Sequence, residues 1–321
     1  MSQVDLPTLA TIRDAAARIA PHARVTPVLR SAALDALAGA RLHFKCENLQ
    51  RGGAFKFRGA CNAVWALDAA QAARGVVTHS SGNHGNALAL AAATRGIAAH
   101  VVVPEGAVQA KVAAIERAGA VVHRCAPNQA AREAMAAQVE RDTGAVLVHP
   151  YADARVMAGQ GTLALELLQQ VPGLDALITP VGGGGLASGV AIAAHGLDPA
   201  LALFGAEPAG ADDAARSLAA GARVTSVVPD TACDGLRALV GEPNLAALRA
   251  HRVEVITVTD AETVAAMQWL WRELKQVVEV SSATVLAAVL KQPARFAGRR
   301  VGVVLTGGNV DLAALPWQAP G

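Results

Sequence analysis

Short runs of aliphatic and β-branched residues alternate with longer alanine-rich stretches along almost the whole chain. The apolar runs predict strands at 42–47, 75–80, 100–103, 121–125, 146–149, 176–181, 201–207, 253–259 and 300–305. The intervening stretches predict helices over 83–95, 107–118, 129–142, 155–170, 186–195, 261–275 and 282–290. A crossover helix returns the chain to the same edge, so successive strands pair in parallel. The expected class is therefore α/β, with open, twisted, mostly parallel sheets covered by helices on both faces. Nothing repeats at a fixed period.

Open α/β sheets bind ligands just past the carboxyl ends of their strands, and the unusual residues of this chain fall there. After the strand at 176–181 come Gly182, Gly183, Gly184 and Gly185, then directly a helix. Four glycines let consecutive backbone N–H groups converge on one anion, and the helix adds its positive end. A phosphate fits this loop. Gly182, Gly184 and Ala187 also match a G-x-G-x-x-A spacing, with Glu207 ending the next strand, so a nicotinamide dinucleotide is a rival guest. Against it, that fingerprint opens the first βαβ unit of its domain, and here it lies past the middle. Two further loops are dense in polar groups: His79-Ser80-Ser81-Gly82-Asn83-His84, and Thr306-Gly307-Gly308-Asn309 after the last strand.

Composition changes the picture at one residue. Only five of the 28 basic residues are lysines, and one of them, Lys56, follows Gly52 and Gly53 and is flanked by Phe55 and Phe57, two of the five phenylalanines. An ammonium held in a partly desolvated pocket loses proton affinity and becomes a nucleophilic amine. The alternative is a lysine whose stem covers apolar surface. A net charge of +2 without interleaved aromatic platforms argues against a nucleic-acid surface. Cys46, Cys61, Cys125 and Cys233 form no CxxC pair, which fits buried free thiols in a reducing compartment. No apolar run reaches the ~18 residues of a membrane span, and the first residues do not read as a signal peptide. The expectation is a cytoplasmic protein.

These motifs, taken in order, carry a resemblance. Thr26-Pro27-Val28, the FKFRGA segment around Lys56, SSGNHG at 80–85, GQGT at 159–162, the glycine tetrad, Ala206-Glu207-Pro208 and TGGNVDL at 306–312 span nearly the whole chain. The chain resembles the fold-type-II pyridoxal-phosphate enzymes, in the branch of serine racemase and serine/threonine dehydratase (threonine ammonia-lyase), 3-hydroxyaspartate dehydratase included. The resemblance implies a large cofactor-binding domain from 1–65 and 153–321, a small domain at 66–152 that closes over substrate, and a homodimer. The implied reaction is loss of water from L-serine, L-threonine or 3-hydroxyaspartate, giving a 2-oxo acid and ammonia. Racemisation is the alternative.

Residue by residue, the resemblance implies that Lys56 bonds to the cofactor and later acts as the base at Cα. Phe55 and Gly235 would pack on the two ring faces, Asn83 would bind the ring oxygen, Gly182 to Gly185 the phosphate, and Thr306 the pyridine nitrogen, with Glu279 facing the site. A neutral hydroxyl at 306 makes the ring a weaker electron sink, which suits elimination. Ser80, Ser81, Asn83 and His84 would hold the substrate carboxylate. Ser81 is either the proton donor on the face opposite Lys56 or a helix cap. Arg132 is either the partner of a second, distal carboxylate or a solvated helix arginine. Glu207, Ala211 and Asp213 match a divalent-cation site for Mg²⁺ or Ca²⁺, the alternative being helix capping by Asp212 and Asp213.

Overall fold

The computed structural model describes residues 6–318. In chain order its strands are β1 (Val28–Leu29), β2 (Arg41–Cys46), β3 (Val76–Thr78), β4 (Ala99–Pro104), β5 (Val121–Cys125), β6 (Val146–Leu147), β7 (Ala176–Pro180), β8 (Ala202–Pro208), β9 (Glu254–Val258) and β10 (Arg300–Leu305). They form a six-stranded sheet of order β1-β2-β10-β7-β8-β9 and a four-stranded sheet of order β5-β4-β3-β6. Every pairing is parallel except β1 with β2. All nine expected strands and all seven expected helices are present.

The pattern missed β1 and the helices Leu9–Ile19, Ala32–Ala38, Lys56–Trp65, Ala69–Arg74, Asp213–Ala220, Glu242–Ala250 and Pro293–Phe296. The omission of Lys56–Trp65 matters most. Two positive-φ glycines, Gly52 and Gly53, precede it and no side chain caps its start, so the usual signals of a helix N-terminus are lacking. Its apolar residues Phe57, Ala60, Cys61, Ala63 and Val64 pack with Val76, Leu88, Val101 and Ile115 in the core beside the four-stranded sheet. On another side it meets helix Ala154–Gln170 so closely that a Cβ at Gly159 would lie 2.5 Å from the Arg58 carbonyl. Lys56 thus opens a helix wedged between the two sheets.

Behind that helix lies a buried charge network. Arg58, without solvent exposure, donates to both oxygens of Glu47 at 2.7 and 2.8 Å and to both oxygens of Glu166 at 2.6 and 2.8 Å. Lys45 completes it, donating to Glu166 at 2.7 Å, the Thr26 carbonyl at 2.8 Å and Gln170 at 2.9 Å. Two cations face two carboxylates, so the cluster is neutral and its hydrogen bonds are made. It ties β2 to two helices directly below the Lys56 turn. All four cysteines are free and buried, and no helix among the described residues is long and apolar enough to cross a membrane.

Candidate active site

The carboxyl ends of β2, β7, β8 and β10 face the cleft between the sheets. The Lys56 amine lies in it, donating to the Pro150 carbonyl at 3.1 Å, with its nitrogen 5.2 Å from the centre of the Phe55 ring. Lys56 is half-buried because it lines an open cleft, yet the walls crowd its amine. Desolvation lowers its pKa to about 8, against an opposing pull from Glu279. No carboxylate forms an ion pair with it among the described residues. The amine is therefore poised to lose its proton near neutral pH.

Glu279, nearly buried, faces this amine's side of the cleft. Desolvation raises its pKa to about 7, while hydrogen bonding from Asn83 pulls the other way. The Asn83 amide donates to both Glu279 oxygens at 3.0 and 3.1 Å, and its oxygen accepts from Asn309 at 2.9 Å. A Cβ at Gly307 would lie 2.7 Å from the Glu279 carboxylate, so only glycine lets the carboxylate sit there. Gly235 donates its N–H to Ser281 Oγ at 3.0 Å, and Thr306 donates its N–H to Ser282 Oγ at 2.8 Å. The Thr306 carbonyl accepts from the Phe55 N–H at 2.9 Å, which joins the end of β10 to the Lys56 turn.

The tetrad connects β7 to helix Gly185–Leu197, whose N-cap is Gly184 at φ +87°. Side chains have no room here. A Cβ on Gly183 would meet the Tyr151 ring at 2.4 Å, one on Gly184 the Asn244 side chain at 2.8 Å, and one on Gly182 the Leu236 backbone at 2.9 Å. The sequence thus keeps a bare backbone cradle at a helix N-terminus, which fits a phosphate. Nothing at Glu207 supports the dinucleotide alternative, since its buried carboxylate is engaged with the N–H groups of Ala214 and Ala215 at 2.9 and 2.8 Å.

The Ser80 loop leads into helix Asn83–Arg95. Its N-cap is Gly82 and no side chain caps it, so the capping reading of Ser81 is overturned. Ser80 Oγ accepts from Gly82 N–H at 3.4 Å. His84, buried, donates through Nε2 to the Val148 carbonyl at 3.4 Å, and its Nδ1 has no partner. Burial, then the nearby Lys56 charge, lowers its pKa well below the usual imidazole value. His84 is a neutral ring with a spare acceptor.

Arg132 lies on helix Gln129–Thr143, half-buried, and its Nε is buried without a partner. Burial chiefly lowers the pKa of His79, Glu133 opposes it and the Arg132 charge adds a smaller lowering, which puts the guanidinium within electrostatic reach of His79. At the cation candidate, Glu207 ends β8, Ala211 closes a short 3-10 turn and Asp213 opens helix Asp213–Ala220. Neither Asp212 nor Asp213 caps that helix; the Glu207 carboxylate holds its first N–H groups instead. Asp213 Oδ2 accepts from Val240 N–H at 2.7 Å. No group of three or more His, Cys, Asp or Glu side chains suited to a metal occurs among the described residues.

Sequence reasoning missed the segment 148–151. Its Val148 carbonyl holds His84, its Pro150 carbonyl holds the Lys56 amine, its Tyr151 ring lies against Gly183 and its Tyr151 carbonyl accepts from Asn244 at 3.1 Å. The His149 ring stands edge-on to both His79 and Tyr151, at 5.2 and 4.6 Å. Burial, with His79 next, lowers the His149 pKa to about 4. One short strap therefore touches the lysine, the phosphate cradle and the loop between them.

A crowded lysine amine, a glycine cradle at a helix N-terminus and a polar loop between them define a site for pyridoxal phosphate, and the chain belongs to the family described as "Pyridoxal-phosphate dependent enzyme", which matches residues 19–307. It is 50% identical to a beta-hydroxyaspartate dehydratase of Paracoccus denitrificans (strain Pd 1222), over 98% of this chain and 99% of that protein. It is 49% identical to a serine racemase of Arabidopsis thaliana, over 96% of this chain and 95% of that protein. The solved structure of maize serine racemase superposes with a TM-score of 0.94 at 44% identity, covering 96% of this chain and 95% of that one. The family sets the cofactor and excludes the nicotinamide alternative.

Proposed function

We propose that this chain removes water from a small β-hydroxy amino acid, and that 3-hydroxyaspartate is the substrate its site suits best. The observation that carries the choice is Arg132, whose Nε is buried and unpartnered within electrostatic reach of His79, just past β3. A guanidinium left in that state favours a substrate with a second carboxylate over serine or threonine. The likeness to the beta-hydroxyaspartate dehydratase supports the same reading.

Bound through its aldehyde, the cofactor supplies a sink for the electron pair left at Cα. The chain's residues do the rest. The loop from Ser80 to His84, at the start of helix Asn83–Arg95, receives the α-carboxylate. Lys56, with a pKa lowered to about 8, takes the Cα proton. Gly182 to Gly185 would anchor the phosphate, Asn83 and Thr306 would orient the ring, and Phe55 and Gly235 would flank it. The four-stranded unit at 66–152 closes over the cleft and excludes water. A Mg²⁺ or Ca²⁺ ion held by Glu207, Asp213 and the Ala211 carbonyl would steady the β8 loop; burial of two carboxylates without a salt bridge supports that assignment.

Racemisation is a second reading, favoured by Ser81, whose hydroxyl is not spent on capping. One panel tests both. L-serine, L-threonine and the diastereomers of 3-hydroxyaspartate are each incubated with the holoenzyme, and 2-oxo acid, ammonia and inverted amino acid are measured together. We expect oxo acid chiefly from a 3-hydroxyaspartate diastereomer, with Arg132→Ala raising KM for it about tenfold or more while sparing serine. Equal turnover of serine in wild type and no preference lost in Arg132→Ala would contradict the proposal.

A further inference from the structure

At the opposite end of the six-stranded sheet, where β2 and β10 begin, three strands present a basic cluster that no part of the reaction uses. Arg41 and Arg300 are register partners on adjacent strands, and two residues on His43 faces Gly302. Side chains alternate in a strand, so Arg41, His43 and Arg300 share one face. The antiparallel register that pairs Leu29 with Phe44 brings Arg30 alongside His43 on the other side. Further along the same face Lys45 is covered by helix Ala154–Gln170, and at the next row Leu167 and Leu174 close over Gly302 beside His43, so that only the arginines at the strand starts lie beyond this cover. The turn that follows passes close: a Cβ on Gly173, at φ +73°, would lie 3.1 Å from the Arg300 guanidinium.

The cluster is only partly neutralised from within. Asp35 pairs with Arg30 at 2.5 Å and accepts the Leu42 N–H at 2.7 Å, and Asp175 accepts the Arg300 N–H at 2.7 Å. Among the described residues, neither the Arg41 nor the Arg300 guanidinium makes an ion pair or a side-chain hydrogen bond. His43 is only 8% exposed, and its Nε2 is buried with no partner. An unsatisfied imidazole nitrogen at that depth is costly unless something bonds it. Burial, then the charges of Arg30 and Arg300, lower its pKa against an opposing pull from Asp35.

We propose that Arg41, Arg300 and His43, with Arg30 at the rim, bind the phosphate group of a small soluble molecule. Two guanidiniums on neighbouring strands offer several donors to a tetrahedral oxyanion, and the His43 ring supplies a further contact from below. The site is separate from the cofactor's phosphate cradle: β10 runs from Arg300 to Leu305, roughly 17 Å by strand rise, before reaching Thr306. It is also independent of the substrate reading given above.

The test uses holoenzyme, whose own cradle is filled by cofactor, in equilibrium dialysis with labelled inorganic phosphate at constant ionic strength set by chloride. One saturable site per chain is expected, weakened about tenfold by Arg300→Gln and further by Arg41→Gln with Arg300→Gln. His43→Phe weakens it as well, and the arginine changes, at the far end of the sheet from the cofactor, leave its visible absorption band intact. Absence of saturable binding in wild type, or unchanged binding in the double arginine variant, overturns the proposal. So does acetate competing as well as sulfate, which would mark a non-selective basic surface.

Discussion

Two lysines eleven positions apart, one buried and one half-buried, show what makes an amine reactive in this fold. Lys45 is completely buried, yet its three donors are spent on Glu166, Gln170 and the Thr26 carbonyl. Lys56 keeps some solvent contact and has a single acceptor, the Pro150 carbonyl. Burial lowers the pKa of both, but Glu166 works against it at Lys45 through an ion pair, whereas Glu279 does so at Lys56 without one. Depth alone does not create a nucleophile. A shortage of partners at the mouth of a cleft does.

The sharpest way to break this comparison is to remove each lysine in turn. Lys56→Ala is expected to lower turnover about a thousandfold or more and to abolish the cofactor's visible band, with little loss of stability. Lys45→Met is expected to keep the band and most activity but to melt earlier, because Glu166 loses a buried partner. Steady-state assays and thermal melts on both variants check this. Next in size is Arg58→Ala, which strips both carboxylates of their guanidinium and is expected to cost about 3–5 kcal/mol in urea unfolding.

A smaller effect concerns pH. Glu279 has a folded pKa near 7, raised from the usual carboxylate range, so the folded protein holds its proton where the unfolded chain has released it. Its contribution to stability is complete below the unfolded pKa and is lost as pH rises towards 7. Melts of apoprotein from pH 4.5 to 7 are expected to show that decline less steeply in Glu279→Gln. Lys56 runs the other way: its folded pKa is depressed to about 8, so its penalty fades as pH rises from there towards the free-lysine value. The smallest expected change is at the exposed Lys111–Asp234 pair, which joins helix Gln109–Arg117 to the turn before Gly235. Lys111→Met is expected to shift stability by less than about 1 kcal/mol, with any effect on KM vanishing at high salt.

Much of the site could be read from side-chain identity. Lys56, the glycine tetrad, Asn83, Glu279 and Thr306 all carry sequence signals, and the structure gathers them around one cleft. The strap at 148–151 could not be read, because its hydrogen bonds to His84, Lys56 and Asn244 all use main-chain carbonyls, which every residue possesses. The Lys45–Arg58 network escaped for another reason: its members lie up to 125 residues apart, and only the fold brings them together. Of the two readings left open for Ser81, only the helix cap falls, because Gly82 takes that position. Among the expected strands, even the short β6 was found, since β-branched residues between turns mark it plainly.

The most direct test of the two-lysine account is to reduce the holoenzyme with borohydride, digest it and locate the pyridoxyl group by peptide mass spectrometry. The account predicts one label per chain, on Lys56, with Lys45 unmodified. A label on Lys45, or none on Lys56 after full loading with cofactor, would contradict it.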